Sequence, residues 1–372
     1  MLFTTGTNAP PLSETWLYSN GRIAPVAGLE PSFVVGTAVN ASDQVVGYSS
    51  HAFLNTGGAV TDLGDLGLVY YKMSFAHAIN DAGIVVGESA NAFYYDGAMH
   101  DINALPHSPY WSMAEAVGIN AANQIVVNCL RSGGYGVCIY TIGGGFTYLH
   151  TLGGKWTTAS HGINARGQIA GSSQLKKGHH HAFLTRGRNL LDLGTLGGSN
   201  SDASGLNDLG QVVGTSEMVG GREHAFIYED GKMLDLDAAY FSNRPRPRQT
   251  TLVAARAINN RGQIAALLAH DAAKNPNDDY VEGLLLTPLP AITIAGGNAL
   301  STRRPRLVIR GRAGNGATEV AWHGSGGAFR PANGVASWHF AAKLKPGKNH
   351  ITIRARDIDG ATSTARLIVT RN

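Results

Sequence analysis

A short phrase built around an asparagine recurs six times and constrains the fold more than any other feature of the chain. Its copies read TAVNASDQVVG, HAINDAGIVVG, VGINAANQIVV, HGINARGQIAG, SGLNDLGQVVG and RAINNRGQIAA. The asparagines are Asn40, Asn80, Asn120, Asn164, Asn207 and Asn259, at spacings of 40, 40, 44, 43 and 52 residues. A period of about 40–45 residues is typical of one four-stranded β-propeller blade and excludes the shorter helical repeats.

Each copy of this phrase predicts a tight hairpin. An asparagine at the first position of a turn can accept a hydrogen bond from the backbone two residues on. The residue three positions later is glycine in four copies and Asp43 or Asn123 in the other two. These residue types best tolerate a left-handed backbone, so we expect positive φ there, followed by a strand.

A second phrase follows the first and reads as strand, glycine turn, strand. It begins at His51 (HAFLNTGGAVTDLG), Asn91, Val137, His181 and His224. The chain opens on a matching half unit at Glu14 and closes on EGLLLTP from Glu282. Propellers close their ring by completing one blade from both termini. The sequence therefore predicts an all-β fold with a six-bladed β-propeller over residues 1–287, and seven blades are the alternative.

The strand before each asparagine carries a pattern of its own. The residues two and four positions before the asparagine are always small: Ala38/Gly36, Ala78/Ala76, Gly118/Ala116, Gly162/Ser160, Gly205/Ala203 and Ala257/Ala255. Blades crowd together near a propeller axis, so this strand is expected to be innermost. The residue three positions before varies instead, as Thr37, His77, Val117, His161, Ser204 and Arg256. Varied polar residues on an otherwise repetitive inner strand predict the functional site.

The phrases IN-x-x-GQVVG and HAFL…DLGTLGG resemble the bacterial HAF-repeat family, named for its His-Ala-Phe triplet. The resemblance covers about residues 14–287 and implies an extracellular or periplasmic protein with propeller-like repeats, but no common activity. The third repeat departs from it by reading Val137-Cys138-Ile139, and no C-terminal sorting helix follows. The N-terminal residues lack the basic start and apolar core of a signal peptide.

From Pro288 the period stops, and short alternating strands with Gly, Pro and Asn turns follow. Turns every 8–12 residues over such a length predict an immunoglobulin-like β-sandwich at residues 288–372. The stretch KPGKNHITIRARDIDGATSTARLIVTR also resembles bacterial Ig-like domains. Arg354 and Arg356 are expected to share one exposed face of this sandwich and to bind ligand.

Charge is unevenly distributed between the two regions. From residue 289 onward there are 13 Lys and Arg against three acidic residues, a net charge of +10, and the rest of the chain carries −6. A basic end favours an anionic partner such as an acidic polysaccharide, a lipid surface or a nucleic acid. The alternative is a solvated face that only maintains solubility. No nucleic-acid motif accompanies the charge, and no apolar run is long enough to cross a membrane.

The two cysteines, Cys129 and Cys138, both lie in the third repeat. A hairpin turning through residues 132–135 would place them opposite each other, which makes a cross-strand disulfide feasible and suits an oxidising compartment. The alternative is a pair of buried thiols.

The varied position supplies His77, His161 and Arg256 as candidate catalytic residues. Glu115 and Asp202, two residues before that position in their repeats, are candidate ligand-binding residues. Histidine can accept a proton and arginine binds carboxylate bidentately, as a lyase acting on uronates would need. No lyase motif, P-loop, zinc motif or complete calcium loop is present, so we predict no cofactor and no metal.

Other polar segments are weaker candidates. The insertion YFSNRPRPRQT carries Arg244, Arg246 and Arg248 on a stiff extended loop that could bind an anionic glycan. The run His179–His181 cannot converge on one ion, because consecutive strand residues point to opposite faces. The histidines of the HAF triplets are expected to satisfy backbone groups between blades. The segment NPNDD from Asn275 is interpreted as a surface loop.

These features favour an exported, non-catalytic module that binds a glycan or another anionic envelope polymer. The alternative is a polysaccharide-degrading lyase with its site in the propeller channel. A third hypothesis is an extracellular scaffold that assembles with copies of itself.

Overall fold

The computed structural model describes residues 2–5, 14–19, 22–28, 34–68, 72–105, 114–131, 134–242, 244–247, 250–270, 280–288, 291–314, 317–325, 327–357, 360 and 362–372. These residues form an all-β structure with one short helix. No helix in the described ranges is long and apolar enough to span a membrane. The chain divides into two compact units, one of Met1–Asn259 with Ile264–Leu284 and one of Asn260–Gln263 with Leu285–Asn372.

The first unit contains seven antiparallel sheets among the described residues. Sheet 1 is β1 (Leu2–Thr5), β2 (Glu14–Ser19) and β3 (Arg22–Pro25), and sheet 2 is β4 (Val35–Val39), β5 (Val45–Tyr48), β6 (Ala52–Thr56) and β7 (Ala59–Asp62). Sheet 3 is β8 (Phe75–Ile79), β9 (Val85–Ser89), β10 (Asn91–Tyr95) and β11 (Met99–Asp101). Sheet 4 is β12 (Glu115–Ile119), β13 (Gln124–Arg131), β14 (Gly134–Thr141) and β15 (Phe146–Tyr148).

The remaining sheets of this unit follow in chain order. Sheet 5 is β16 (Gly153–Ile163), β17 (Ile169–Leu175), β18 (His180–Arg186) and β19 (Asn189–Asp192). Sheet 6 is β20 (Gly197–Leu206), β21 (Val212–Met218), β22 (Glu223–Glu229) and β23 (Lys232–Asp235), and helix α1 (Leu236–Phe241) follows it. Sheet 7 is β24 (Thr250–Ile258), β25 (Ile264–His270) and β26 (Tyr280–Leu286).

The six-blade prediction required the opening segment to complete the last sheet. In the described residues it does not do so. Strand β1 instead pairs with β2, where the second strand of a four-stranded sheet would lie, and the two form sheet 1 with β3. Sheets 2–7 each carry one asparagine hairpin and sheet 1 carries none, so the described part of the unit has seven sheets. Residues 2–5 carry no repeat phrase, which is why the sequence did not predict β1.

The asparagine hairpins have the predicted geometry. In sheet 5, Oδ1 of Asn164 accepts hydrogen bonds from the backbone amides of Arg166 and Gln168, at 3.0 and 2.9 Å. The position three residues after the asparagine has positive φ in all six copies, including Asp43 and Asn123, both at 56°. The left-handed residue closes the turn, and the following strand returns along the first.

The same asparagines also join consecutive sheets, which the sequence did not indicate. Each Nδ2 donates to the backbone oxygen of the next turn asparagine: Asn40 to Asn80, Asn80 to Asn120, Asn120 to Asn164, Asn164 to Asn207 and Asn207 to Asn259, at 3.0–3.2 Å. We call this series of bonds the asparagine ladder. First strands of consecutive sheets also contact each other from β4 through β24, and the small residues permit that approach. A Cβ on Gly205, for example, would lie 3.0 Å from Cα of Ala257 in the next sheet.

The varied residue before each asparagine occupies a β-bulge. The register shifts there in every one of the six hairpins, for example between Ala76 and Ala78 around His77. In β16 the bulge is one residue longer, because Gly171 pairs with Ala159. The equivalent glycines in sheets 2, 3 and 6 pair with the residue four before the asparagine, whereas Ala159 lies five before it. The small residue at this paired position is therefore Ala159, whereas Ser160, four residues before Asn164, lies in the bulge.

Hydrophobic clusters lie between neighbouring sheets. The phenylalanine of the HAF or NAF triplet is buried in sheets 2, 3, 5 and 6, and Phe93, Phe183 and Phe226 are fully inaccessible to solvent. Phe183 packs with Val126 and Leu149 of sheet 4, and Phe226 packs with Ala170 and Leu193 of sheet 5. Since each triplet closes the space toward the preceding sheet, the repeat is the unit of packing.

The second unit consists of two sheets that share one core. The three-stranded sheet is β27 (Ile292–Ile294), β29 (Arg306–Ala313) and β32 (Ser337–Lys343). The five-stranded sheet is β28 (Ala299–Thr302), β34 (Thr362–Arg371), β33 (Gly347–Asp357), β30 (Ala317–Gly324) and β31 (Arg330–Pro331), in that spatial order. Trp338 and Phe340 of the first sheet meet Ile353 and Leu367 of the second in the core.

The predicted disulfide is wrong. Cys129 pairs with Gly136 across the β13–β14 hairpin, and Cys138 pairs with Val127, so the two cysteines are diagonal neighbours and do not face each other. A diagonal separates Cβ atoms by about 7 Å, and a disulfide needs about 4 Å. Both are buried thiols, and Sγ of Cys129 is 3.5 Å from the backbone oxygen of Gly136.

Candidate functional site

Polar side chains meet at the joints between sheets, at the end of the first strand remote from the asparagine turn. In each hairpin the residue before the bulge lies opposite a second-strand residue, as Phe75 lies opposite Glu88. In sheets 2–5 that second-strand residue contacts the next sheet. In sheet 2 the contact is aromatic, since the ring centres of Tyr48 and Phe75 are 4.8 Å apart. In sheet 4 Asn128 bonds the backbone of Ala159, and in sheets 3 and 5 two polar side chains meet.

The first polar joint contains His77, Glu88 and Glu115. His77 lies on the bulge of β8, Glu88 on β9 and Glu115 on β12 of the next sheet, and their ligand atoms all lie within 4.8 Å of one another. Nε2 of His77 is 3.8 Å from Glu88 Oε1, and Asn128 Nδ2 donates to Glu115 Oε1 at 3.0 Å. One imidazole nitrogen and two carboxylates could hold a divalent transition metal ion. His77 and Glu115 were predicted from the sequence. Glu88 was not, because it is on another strand and outside the varied position.

The second polar joint surrounds Asp202. Its carboxylate accepts a hydrogen bond from Ser172 Oγ of the preceding sheet, and its Oδ2 is 3.0 Å from Nε2 of His180. The ring of Trp156 lies 5.5 Å from that of His180. Asp202 is thus already engaged by protein groups, so in this arrangement it orients His180.

A carboxylate beside this joint has a lowered pKa. Glu217 accepts hydrogen bonds from the side chain of Asn200 and from the backbone amides of Ser199 and Asn200. The bond from the Asn200 side chain is the main reason that its pKa lies below the ordinary value. The charged carboxylate of Glu217 therefore holds the start of β20 in place through these hydrogen bonds.

The three predicted catalytic residues lie on the first strands of three different sheets. His77 lies beside the two glutamates, with its Nε2 3.8 Å from Glu88 Oε1. His161 is on β16, in the longer bulge, and its side chain falls outside the described part of the structure. Arg256 is exposed at the bulge of β24.

The histidines of the HAF triplets serve mainly as partners of an aspartate in their own sheet. Nδ1 of His51, His181 and His224 lies 3.1, 2.8 and 3.0 Å from the carboxylates of Asp62, Asp192 and Asp235. These aspartates belong to the DLG or DLD part of the same phrase, eleven residues on. Only in sheet 2 do the described contacts reach the backbone as predicted, where His51 Nε2 is 2.9 Å from the oxygen of Lys72.

The contact between His51 and Asp62 shifts the pKa of both side chains. The hydrogen bond with Asp62 raises the pKa of His51 above its ordinary value of 6.5. The backbone amide of Gly64 and, after it, His51 lower the pKa of Asp62 below 3.8. The pair therefore carries opposite charges over a window of mildly acidic pH.

The proposed arginine loop is in part a structural element. Arg246 forms a two-pronged ion pair with the buried Asp237, donates to the oxygen of Thr250 at 2.8 Å and lies over the ring of Phe241. Asp237 also lies 3.7 Å from His224. Arg246 is therefore held in place by contacts within the fold. The sequence did not predict helix α1, which Asp235 caps.

The other two arginines of this loop differ from Arg246. Arg244 is exposed and its guanidinium lies 4.3 Å from the ring centre of Tyr240. Arg248 lies outside the described residues, as does the segment from Asn275.

The outer face of the three-stranded sheet in the second unit is strongly basic. Arg306, Arg310 and Arg312 alternate with core residues along β29 and are exposed. Register places Lys343 opposite Arg306 and His339 opposite Arg310 on β32. The three strands contain no Asp or Glu. We call these five residues the basic face. The alternation in RLVIRGRA is the sequence signal that could have identified it.

Arg354 and Arg356 lie on the five-stranded sheet. Both alternate with buried residues of β33. Arg354 is half-buried, pairs with Glu319 at 3.5 Å and lies over the ring of Phe329, whereas Arg356 is exposed. This face contains a carboxylate and is therefore less strongly basic than the face of the three-stranded sheet.

No protein-family model matches the chain, and no curated protein matches it. Among solved structures, it is similar to the extracellular domains of two proteins from B. thetaiotaomicron described as hybrid two-component systems. The first is 14% identical with a TM-score of 0.41, over 96% of this chain and 54% of that one. The second is 10% identical with a TM-score of 0.39, over 96% and 61%. Another structure of the extracellular domain of this second protein, described there as a one-component system, is 10% identical with a TM-score of 0.37, over 99% and 62%. The chain thus spans little more than half the length of these proteins, and a likeness of this degree assigns no activity.

Proposed function

We propose that this chain is an exported module that binds an anionic polymer, such as an acidic glycan of a cell envelope or matrix, without turning it over. The observation that carries the proposal is the concentration of charge in the second unit. Its residues from 289 onward have a net charge of +10, while the rest of the chain carries −6. Such a field attracts polyanions and directs them to one end of the chain.

We propose for the architecture a propeller of HAF-type repeats followed by an Ig-like sandwich. The asparagine ladder supports the first part, because it and the contacts between first strands draw one edge of sheets 2–7 together. Two sheets around one core support the second. The extracellular or periplasmic location rests on the resemblance of the repeat phrases.

The lyase hypothesis receives little support from the geometry. A lyase acting on uronates needs its base beside a group that neutralises the substrate carboxylate. His77 instead lies beside Glu88 and Glu115, which would repel a uronate. Self-assembly has no specific observation in its favour.

Affinity electrophoresis tests the proposal. The full chain is run through gels containing heparin, polygalacturonate or neutral dextran at about 50 and about 500 mM salt, because the screening of charge interactions increases strongly between these concentrations. The absorbance of unsaturated products is followed on the same mixtures. We expect salt-sensitive retardation by the anionic gels without new absorbance. Equal mobility in all three gels would refute anionic-polymer binding, and new absorbance would establish the lyase.

A further inference from the structure

The basic face combines like charges at close range without acidic residues to balance them. Arg306 and Lys343 are cross-strand partners, and Arg310 and Arg312 follow Arg306 on the same side of β29. No carboxylate forms an ion pair with any of the four in the described residues. Like charges directly opposite each other destabilise a sheet. The face therefore costs the unit stability unless an anion covers it.

The cations form a strip along the strand. Arg306 and Arg312 are six residues apart, so the row is about 20 Å long at the rise of a β-strand. Lys343 and His339 lie on the neighbouring strand about 5 Å away. A narrow row of this length matches an extended chain that carries anionic groups at intervals. Three of the four permanent cations are arginines, which bind carboxylate or sulfate through two parallel hydrogen bonds.

The remaining residues of this face narrow the class of ligand. Between the cations lie Val308, Ser337 and Ala341, all exposed, and no Phe, Tyr or Trp projects from this side of β29 or β32. Proteins that bind single-stranded nucleic acid stack bases on aromatic side chains. Stable adsorption to a membrane adds a substantial apolar surface to the charge, and Val308 is the one large apolar side chain exposed between the cations.

We propose that the basic face binds a linear anionic polysaccharide lying along β29, with Arg306, Arg310, Arg312 and Lys343 as the contacts to its carboxylate or sulfate groups. This inference rests on the proposed function and deepens it by assigning the surface. The outer face of the five-stranded sheet, which holds Arg356 and Arg366, is then not the main contact.

Two triple variants of the full chain test the assignment. The first replaces Arg306, Arg310 and Arg312 by Gln, and the matched control replaces Lys348, Arg356 and Arg366 by Gln. Both remove three exposed charges from the same unit. Dissociation constants are measured with heparin and polygalacturonate, and with single-stranded DNA and vesicles rich in anionic lipid. We expect the first variant to weaken polysaccharide binding at least about tenfold and the control by less than about threefold.

Thermal unfolding separates lost binding from lost structure. Removing Arg306 relieves its repulsion with Lys343, so the first variant should unfold at the same temperature as the parent or higher. Equal losses of affinity in both variants, or a loss confined to the control, would overturn the assignment while leaving the proposed function intact. Tighter binding of the parent to DNA or vesicles than to either polysaccharide would overturn it too. A parent chain that binds none of the polyanions would refute the proposed function itself.

Discussion

At the scale of single residues, backbone crowding at the bulges decides which side chains are allowed. Gly47, Gly87, Gly171 and Gly214 occupy the same place on the second strand. A Cβ at any of them would lie 1.9–2.1 Å from a backbone oxygen of the first strand. In these four sheets the two strands approach so closely that the position requires glycine, whereas Val127 and Ala266 occupy the equivalent place in sheets 4 and 7.

Replacing one of these glycines should be costly. In Gly171→Ala the new Cβ would meet Thr158 O at 2.1 Å and the Phe183 ring at 3.0 Å. We expect a loss of about 3 kcal/mol in the free energy of unfolding, measured in urea. Gly145→Ala is the control, because no atom lies within 4 Å of its Cβ position. A Gly171→Ala chain as stable as this control would show that the strands do not approach so closely.

A second residue-scale prediction concerns pH. The raised pKa of His51 stabilises the fold fully below pH 6.5, and this contribution disappears as pH rises through the folded-state pKa. The lowered pKa of Asp62 stabilises above 3.8, and that contribution disappears as pH falls. The pair is thus most stabilising between about pH 4 and 6.5.

NMR titration of the His51 ring checks this directly. We expect a midpoint above 6.5 in the parent and a return toward that value in Asp62→Asn, which retains an oxygen for the amide of Gly64. An unchanged midpoint in the variant would mean that Asp62 is not the cause.

At the scale of elements, one side-chain type performs two tasks. The Oδ1 atom of each turn asparagine shapes its own hairpin, and the Nδ2 atom reaches the next sheet. Only the first task is visible in the sequence, because turn residues act locally. The second depends on which strands become neighbours, and a one-dimensional repeat does not specify that.

Asn164→Asp separates the two tasks. Aspartate keeps the acceptor oxygen but presents a second oxygen to Asn207 O and Gln168 Oε1, where the amide donates at 3.1 and 2.9 Å. We expect a loss of about 2–3 kcal/mol at neutral pH. The loss should shrink in acid, where the protonated carboxyl regains a donor. Asn189→Asp, at an exposed position, should be nearly neutral. Equal urea midpoints for the two variants would contradict the ladder.

At the scale of the whole molecule, the sequence predicted whatever is encoded within one repeat. Strand order, the left-handed turn residue and the all-β character follow from local turn chemistry and alternation. Features that depend on how strands pair were not predicted. The bulge of β16 has an additional residue, the β13–β14 register displaces Cys138 from Cys129, and β1 forms a seventh sheet.

The candidate sites were predicted only in part, for a related reason. His77 was identified from the varied position and Glu115 from the position two residues before it, but Glu88 completes their cluster from another strand. The ion pair of Arg246 was not predicted, because its partner, Asp237, lies in a helix that no repeat phrase indicates. The charge imbalance was correctly located by counting, and the face that concentrates it required the register of β29 and β32.

The asparagine ladder also has a direction. Every amide donor belongs to the earlier repeat and every acceptor to the later one, from Asn40 to Asn259. While such a chain is being synthesised, its most recent hairpin always holds a donor that the next repeat must satisfy. Each repeat thus completes its predecessor, so a chain interrupted after any of these repeats would lack a ladder acceptor at one asparagine only, the last one made.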